Sequence, residues 1–271
     1  MPLSKMTETV HHLSFDVEDV YQSFKERGIP GWIKDVDGEK GRILDILNLL
    51  DEYGHKATFF ILTEILPDYE DIILEIKSRG HEIASHGHEH LRIKRRSRED
   101  FGRDIRESKF LLENLINQEV IGYRAPGFSL NESTSWAVEQ IKTAGFMYSS
   151  SASSSNPSSN LFSVLHEFQL VEFPATSIKF LSKDIRLCGG FYFRALPFSV
   201  TKSLFQLRKR NGRPINLYLH PFEFEDHPIK IKAGMEATLV RYYNLEKTRK
   251  NLEKILSIHQ FTSFANYLDK S

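Results

Sequence analysis

The sequence predicts an α/β fold with a largely parallel sheet or a barrel. Short apolar segments rich in β-branched and aromatic residues alternate with longer segments whose apolar residues recur at helical spacing. This alternation runs along nearly all of the 271 residues, and it is typical of parallel α/β sheets. The sequence contains no internal repeat and no clear linker. We therefore expect a single domain over residues 1–271.

In the first half, each predicted strand is followed by a helix or by polar residues. An apolar run over residues 10–15 predicts the first strand, and Gly54 and Gly80 stand where two helices would end. Ser97, with Asp100 three residues later, resembles a helix N-cap. The remaining predictions for this half are strands at 56–62, 81–85, 120–123 and 146–148, and helices at 40–53, 67–79, 97–117 and 131–144.

The second half continues the pattern after a serine-rich segment. Residues 149–160 have the composition of a flexible surface loop and form a candidate lid. Gly189 and Gly190 predict a turn before an aromatic strand at 191–193. The remaining predictions are an extended segment at 172–178, a helix at 197–210, a strand at 215–219, a helix at 245–258 and a strand at 261–264.

Composition excludes several classes of protein. Lys plus Arg and Asp plus Glu both number 36, and this balance argues against nucleic-acid binding, which needs clustered positive charge. The only cysteine, Cys188, excludes an internal disulfide. The sequence has neither an apolar run of signal-peptide length at its start nor the roughly 20 apolar residues of a membrane helix. We expect a cytoplasmic protein, with peripheral association at the inner membrane left open.

Polar side chains gather at the C-terminal ends of four predicted strands. Active sites of parallel α/β folds lie at this edge of the sheet, so these side chains are predicted to meet at one rim. The residues are Asp16, Glu18 and Asp19 after the first strand, His86, His88 and His90 after the third, Arg124 after the fourth, and His220 after a late strand.

Two of these histidines and an acid have the pattern of a metal site. His86 and His90 are four residues apart, which lets two imidazoles converge on one ion. An acid from another strand completes a His-His-carboxylate set with open positions for water and substrate. Asp16 and Glu18 point to the same side if strand geometry persists, so one can hold the metal while the other acts as base. Asp19 competes with Glu18 as the ligand, and ordinary surface or core residues are the alternative.

Arg124 and His220 fit supporting roles at the same rim. Arg124 can fix the carboxylate base and keep it ionised, or it can form a purely structural ion pair. His220 can protonate a leaving amine or stabilise an oxyanion. The alternative for His220 is a structural position at a strand end before Pro221.

Several motifs occur along the chain in a fixed order. They are SFDVED at 14–19, ATFF at 57–60, GHEIASHGHEH at 80–90, GYRAP at 122–126, EFP at 172–174, GGFYFR at 189–194, YLHPFE at 218–223 and RYYNL at 241–245. In this order they resemble the polysaccharide deacetylases of carbohydrate esterase family 4. The resemblance is strongest to the subgroup associated with exopolysaccharide or surface-polysaccharide biosynthesis, and it covers nearly the whole chain.

The resemblance implies a fold, an activity and a cofactor. The implied fold is a distorted (β/α) barrel of about seven parallel strands, with a core over about 8–225 and a C-terminal extension over about 226–271 packed on it. The implied activity is hydrolysis of an acetyl group, foremost an N-acetyl amide, on a nucleotide-linked, lipid-linked or oligomeric sugar. The implied cofactor is a divalent metal, foremost zinc.

The resemblance also implies a role for each catalytic residue and metal ligand. Asp16 takes the place of the general base, and Arg124 orients it. Glu18, His86 and His90 take the places of the metal ligands. Val17 separates Asp16 from Glu18, whereas the commonest family motif has two adjacent aspartates, so Asp19 remains the alternative acid.

On the substrate side, the resemblance makes His220 the general acid and places Leu219 in the pocket for the acetyl methyl group. The backbone N–H of Tyr123 or a neighbour is a candidate to hold the oxyanion. Pro126 and Phe191 are further candidates for substrate binding, and His88 is a bystander. The subgroup carries Tyr-Asp-Ser-Ser where this chain has Tyr-Ser-Ser-Ser at 148–151.

Two rival functions stay open at this point. One is metal-free hydrolysis of an amide in a small nitrogenous compound, as in allantoinase-like relatives of this fold. The other is a catalytically silent sugar-binding or scaffold protein, which the missing aspartate of the Tyr-Asp-Ser-Ser motif favours. Asp16, both histidines, Arg124 and His220 occur together in the chain, and this set argues against a silent protein.

Overall fold

The structure is a computed structural model. It describes residues 9–19, 22, 28, 34–152, 159–180, 183–185, 188–226, 228 and 234–269, and positions 153–158 of the candidate lid lie outside this part. The strands are β1 (His11–Val17), β2 (Thr58–Ile61), β3 (Glu82–Ser85), β4 (Gly122–Tyr123), β5 (Tyr148–Ser149), β6 (Val171–Glu172), β7 (Ile178–Phe180), β8 (Lys183–Ile185), β9 (Asn216–Leu219) and β10 (Phe261–Thr262). The α-helices are α1 (Val36–Tyr53), α2 (Leu66–Ser78), α3 (Arg98–Ile116), α4 (Ala137–Thr143), α5 (Asn160–Glu167), α6 (Gly190–Ala195), α7 (Phe198–Arg210), α8 (Met235–Tyr242), α9 (Glu246–Leu256) and α10 (Phe264–Leu268).

Seven parallel strands form a curled half-barrel, which confirms the predicted α/β distorted barrel. They run in the order β9-β1-β2-β3-β4-β5-β6, and β10 pairs in parallel with the start of β1. Since all these strands point the same way, their carboxyl ends meet at one rim. The short antiparallel pair β7–β8 lies outside this sheet.

The core fills the space between the sheet and its helices. Every residue of β1 is buried, which is expected for a strand covered on both faces. Helix α1 turns one apolar face inward, with Ile43, Ile46, Leu47 and Leu50 fully buried. These positions recur at helical spacing, so the apolar periodicity of the sequence marks the face of the helix that packs against the core.

Helix ends agree with the sequence where a capping residue is present. The Ser97 hydroxyl accepts a hydrogen bond from the Asp100 backbone N–H and caps α3. Gly54 adopts a left-handed conformation and ends α1. The helix predicted for 131–144 is interrupted instead: a 3₁₀ turn at Glu132–Thr134 precedes α4. Among the helices that the structure describes, none combines the length and the apolar composition needed to cross a membrane.

Two predictions for local structure are wrong. The aromatic segment 191–193 is helical rather than extended, and it forms the middle of α6. Helical geometry brings Arg194 into the interior, where it is 1% exposed and bonded to a carboxylate of another element. The beginning of the serine-rich segment is also no surface loop, because Ser149, Ser150 and Ser151 are fully buried. Their hydroxyl and amide groups bond with buried polar side chains, and composition alone does not reveal those partners.

Three buried histidines are expected to make the fold sensitive to mild acid. Burial, together with the charges of His259 and other neighbours, lowers the pKa of His11 to about 3. Burial lowers the pKa of His12 to about 3 and that of His81 to about 4. The unfolded chain takes up these protons near pH 6.5 and the folded chain does not. The free energy of unfolding therefore falls from about pH 6.5 towards pH 4, by up to about 4 kcal/mol per pH unit.

Denaturant unfolding at several pH values within this range measures the slope. His12→Leu is the informative variant, because neither ring nitrogen of His12 has a hydrogen-bond partner within the described part of the chain, and its ring packs on Phe264 and Tyr267. Losing one of three similar groups should reduce the slope by about a third. A slope that the substitution leaves unchanged would show that these histidines do not control acid stability.

Candidate active site

Asp16 and Arg124 form a buried ion pair at the rim. Asp16 lies near the end of β1, Arg124 directly follows β4, and both are nearly inaccessible to solvent. The Arg124 Nη1 donates to Asp16 Oδ1 at 2.6 Å. Arg124 is itself fixed by hydrogen bonds to the Ser150 carbonyl and hydroxyl, and its guanidinium lies 4.0 Å from the centre of the Phe60 ring. The arginine therefore holds one oxygen of the carboxylate in a set position.

Beside this pair, the structure brings Glu18, His86 and His90 together. The Glu18 Oε2 lies 2.6 Å from His90 Nε2 and 3.7 Å from His86 Nε2. One ligand atom from each residue falls within 4.8 Å of the others. Asp19 does not join this group, and its carboxylate accepts a hydrogen bond from the Tyr69 hydroxyl. His88 turns towards Thr63, with its Nδ1 at 3.0 Å from the hydroxyl.

The surroundings of this cluster suit metal ligands. The His86 Nδ1 lies 2.8 Å from the Arg124 carbonyl oxygen, so Nδ1 carries the proton and Nε2 is left to face Glu18. Burial alone would raise the pKa of Glu18. The charge of His90, whose Nε2 lies 2.6 Å from Glu18 Oε2, and the close approach of the His86 ring outweigh burial and hold this pKa well below its usual range. The acid is therefore an anion.

The residues present fit a divalent metal. Two imidazole nitrogens and one carboxylate are the donor set of many catalytic zinc sites, which keep a further position for water or substrate. The three donors come from two strand ends and are buried, yet they converge closely enough to share one ion. Packing alone gives no reason to gather an anion and two imidazoles at this point.

His220 lies on the other side of Asp16. Its Nε2 is 3.9 Å from Asp16 Oδ2, the carboxylate oxygen that Arg124 does not hold. Its Nδ1 bonds to Glu223 Oε1 at 2.8 Å, and its ring stacks on Phe222. Burial alone would lower the pKa of His220, but its hydrogen bond and charge interaction with Glu223 raise the pKa, with smaller contributions from Asp16 and Glu18. The protonated form is thus favoured.

Glu223 and Arg194 support His220, and the sequence reasoning assigned neither of them a role. The Arg194 Nη1 donates to Glu223 Oε2 at 2.6 Å, and both side chains are buried. A Cβ atom at Gly190 would lie 1.7 Å from the same carboxylate, which explains a glycine there. The sequence contained one signal for Glu223, because it is an acid three residues after His220. The 3₁₀ turn at Pro221–Phe224 brings residues at this spacing together.

The serine-rich segment also contributes to the site. In addition to its two bonds with Arg124, Ser150 accepts a hydrogen bond from Asn216 on β9. Ser151 accepts a bond from the backbone N–H of Ala125, and its own backbone N–H bonds to Glu172. This hydrogen-bonded stretch is the scaffold that positions Arg124.

The predicted substrate-binding residues lie in two kinds of environment. The side chains of Tyr123 and Leu219 belong to the hydrophobic core, so Tyr123 is left with its backbone as a possible contact. Pro126 is buried and begins a 3₁₀ turn directly after the Arg124 segment. Phe191 is half-buried, and its ring contacts Tyr192, Tyr243 and the guanidinium of Arg194.

The fold and the site together define an α/β half-barrel protein with a His-His-Glu cluster beside a buried Asp–Arg pair, and with a histidine 3.9 Å from the aspartate. Residues 36–148 match the family model described as polysaccharide deacetylase. Residues 147–269 match a second model, described as a domain of unknown function, DUF3473. These matches support a polysaccharide deacetylase domain. The segment matched by the second model carries His220, Glu223 and Arg194.

Two curated relatives are peptidoglycan-N-acetylglucosamine deacetylases from Bacillus cereus. One is 29% identical over 96 residues, and the other is 28% identical over 101 residues. These alignments cover 35% and 37% of this chain, and 35% and 46% of the relatives' own lengths. The chain thus aligns with less than half of either relative.

Solved structures show the same fold at low sequence identity. A candidate polysaccharide deacetylase from Mycobacterium smegmatis has a TM-score of 0.62 at 18% identity, covering 99% of this chain and 92% of that one. A pseudoenzyme of the carbohydrate esterase 4 family from Bacillus anthracis has a TM-score of 0.50 at 14% identity, covering 96% and 65%. The fold therefore occurs in a pseudoenzyme as well, and activity has to be argued from the site.

Proposed function

We propose that this protein is a metal-dependent hydrolase that removes an acetyl group, foremost an N-acetyl group, from an amino sugar. The observation that carries the proposal is the arrangement around Asp16. Arg124 holds one of its oxygens, His220 lies 3.9 Å from the other, and the cluster of Glu18, His86 and His90 is adjacent. Amide hydrolysis needs a base, an acid and an electrophile, and this rim offers a candidate for each.

The proposed role of Asp16 as the base follows from its ion pair with Arg124. Asp16 accepts a proton from the attacking water, and Arg124 holds the carboxylate in the orientation needed for that step. Glu18, His86 and His90 would hold a divalent metal, which would supply Lewis acidity towards the acetyl carbonyl and towards water. The buried position of the pair keeps bulk water from competing for the carboxylate.

The proposed role of His220 as the acid follows from its hydrogen bond with Glu223. His220 donates a proton to the sugar nitrogen as the C–N bond breaks, and the products are acetate and a free amine. Glu223 favours the protonated imidazole needed for this step and fixes the direction of the ring through Nδ1. The Phe222 ring stacked on His220 limits its rotation.

Motif order and the named activities of the relatives support the substrate assignment. The curated relatives act on N-acetylglucosamine in peptidoglycan by name. The motif resemblance favours a bacterial surface-polysaccharide pathway, with a nucleotide-linked, lipid-linked or oligomeric acetylated sugar as substrate. Acetate release from a panel of such sugars tests the activity directly, while sugar binding without acetate release would favour the silent sugar-binding protein.

Removal of the two cluster histidines is expected to abolish tight metal binding. His86→Ala/His90→Ala leaves a single carboxylate of the three ligands, so elemental analysis should find about one zinc or similar ion per chain in the wild type and almost none in the variant. His88→Ala is the matched control, because His88 lies between them in sequence but bonds to Thr63. Equal metal content in the wild type, the double variant and the His88→Ala control would mean that the metal binds elsewhere.

A further inference from the structure

Helix α7 carries an unusual concentration of positive charge. No acidic residue occurs between Asp184 and Glu223. The same stretch contains Lys202, Arg208, Lys209 and Arg210 on α7 and Arg213 just beyond it. In a chain whose formal net charge is zero, this is a strongly asymmetric distribution.

Two cations of this helix and a third just beyond it are available to a partner. Lys202, Arg210 and Arg213 are exposed, and among the described residues none of the three forms an ion pair. Thr201 and Phe205 face the interior and anchor the helix. Lys254 of α9 lies 5.3 Å from the Phe198 ring at the start of α7, so this neighbouring helix adds another cation at the border.

One edge of the exposed side of α7 also carries aliphatic side chains. Val200 and Leu207 are 45% and 56% exposed. They are seven residues apart, which places them one above the other on the helix surface. Arg210 follows Leu207 by three residues and lies next to it on that face. Surface aliphatics flanked by unpaired cations on one helix are typical of helices that lie in a membrane interface.

We propose that the exposed side of α7 docks on an anionic lipid bilayer, with Leu207 and Arg210 near its centre, Val200 and Lys202 at its two edges, and Arg213 just beyond the helix. Lysine and arginine side chains bind acidic headgroups, and the two aliphatic side chains insert at the boundary with the acyl chains. A polyphosphate or an acidic glycan would satisfy the cations but would leave Val200 and Leu207 in water. The inference does not depend on the proposed catalytic activity.

Flotation with lipid vesicles tests this docking. The full chain should bind vesicles of phosphatidylglycerol and phosphatidylcholine in equal amounts, bind pure phosphatidylcholine poorly, and dissociate at high ionic strength. Each basic residue near the surface contributes about fivefold to the partition coefficient. Lys202→Glu/Arg210→Glu/Arg213→Glu should therefore lower binding by at least about 100-fold.

Two further variants make the test specific. Lys94→Glu/Arg103→Glu/Arg106→Glu changes the net charge equally at exposed positions elsewhere and should retain vesicle binding. Leu207→Ser keeps every cation and should still weaken binding several-fold. Circular dichroism verifies that all variants fold. The proposal would be overturned if the wild type did not bind anionic vesicles, or if the control triple variant lost as much binding as the α7 triple variant. It would also be overturned if Leu207→Ser bound vesicles fully and the protein captured acidic polymers.

Discussion

Asp16→Asn is expected to lower kcat for acetate release by about 10² to 10⁴-fold, the usual contribution of a general base. The amide keeps a hydrogen-bond acceptor for Arg124 but cannot take a proton from water at neutral pH. The proposed ligands Glu18, His86 and His90 are untouched, so metal content should stay at the wild-type level. This combination of normal metal binding and lost turnover is what separates a base from a ligand.

The same substitution leaves the Arg124 charge without its anion. Arg124 is completely buried, and breaking a buried ion pair on one side costs about 3–5 kcal/mol. A thermal unfolding curve of the variant must therefore accompany the kinetics, and rates must be taken well below its Tm. Turnover within a few-fold of the wild type, in a folded and metal-loaded variant, would remove Asp16 from the mechanism.

Glu223→Gln is expected to move the basic limb of the pH–rate profile to lower pH. His220 must be protonated to act as an acid, so activity is lost as pH rises through its pKa. The Glu223 carboxylate raises that pKa, because an opposite charge at hydrogen-bond distance favours the protonated imidazole. The basic limb of the kcat/KM profile should therefore move to lower pH, while the metal content stays unchanged.

A stability control accompanies this experiment, because Glu223→Gln also leaves the buried Arg194 unpaired. That loss costs about 3–5 kcal/mol of the free energy of unfolding. In Arg194→Met/Glu223→Gln the unpaired charge is gone, so part of the stability should return while the basic limb stays at low pH. A profile that does not move in either variant would mean that Glu223 only holds the fold together.

The sequence predicted the rim because segments with the composition of strands lead directly into groups of acids or histidines. Asp16 and Glu18 follow the segment 10–15, and His86 and His90 follow the segment 81–85. In a parallel sheet these ends must meet, and in the structure they do. The choice between Glu18 and Asp19 needed coordinates, because the strand ends at Val17 and alternation no longer decides which way the next side chains point.

Contacts between distant segments could not be predicted in this way. Arg194 and Glu223 are 29 residues apart and share no periodic pattern. Segment 191–193 has the aromatic composition of a strand, yet the tertiary contact of Arg194 stabilises a helix there, which is a common way for packing to override local propensity. The buried serines likewise depend on Arg124 and Glu172, which bond with them from other strands.

Metal titration of the stripped protein tests the central claim most directly. Metal is removed with a chelator, zinc is added back in steps, and bound metal and acetate release are measured in the same samples. The account predicts that activity rises in proportion to bound metal and saturates near one ion per chain, with no recovery in His86→Ala/His90→Ala. Acetate release that persists without metal, or full metal loading without acetate release from any acetylated amino sugar, would contradict it.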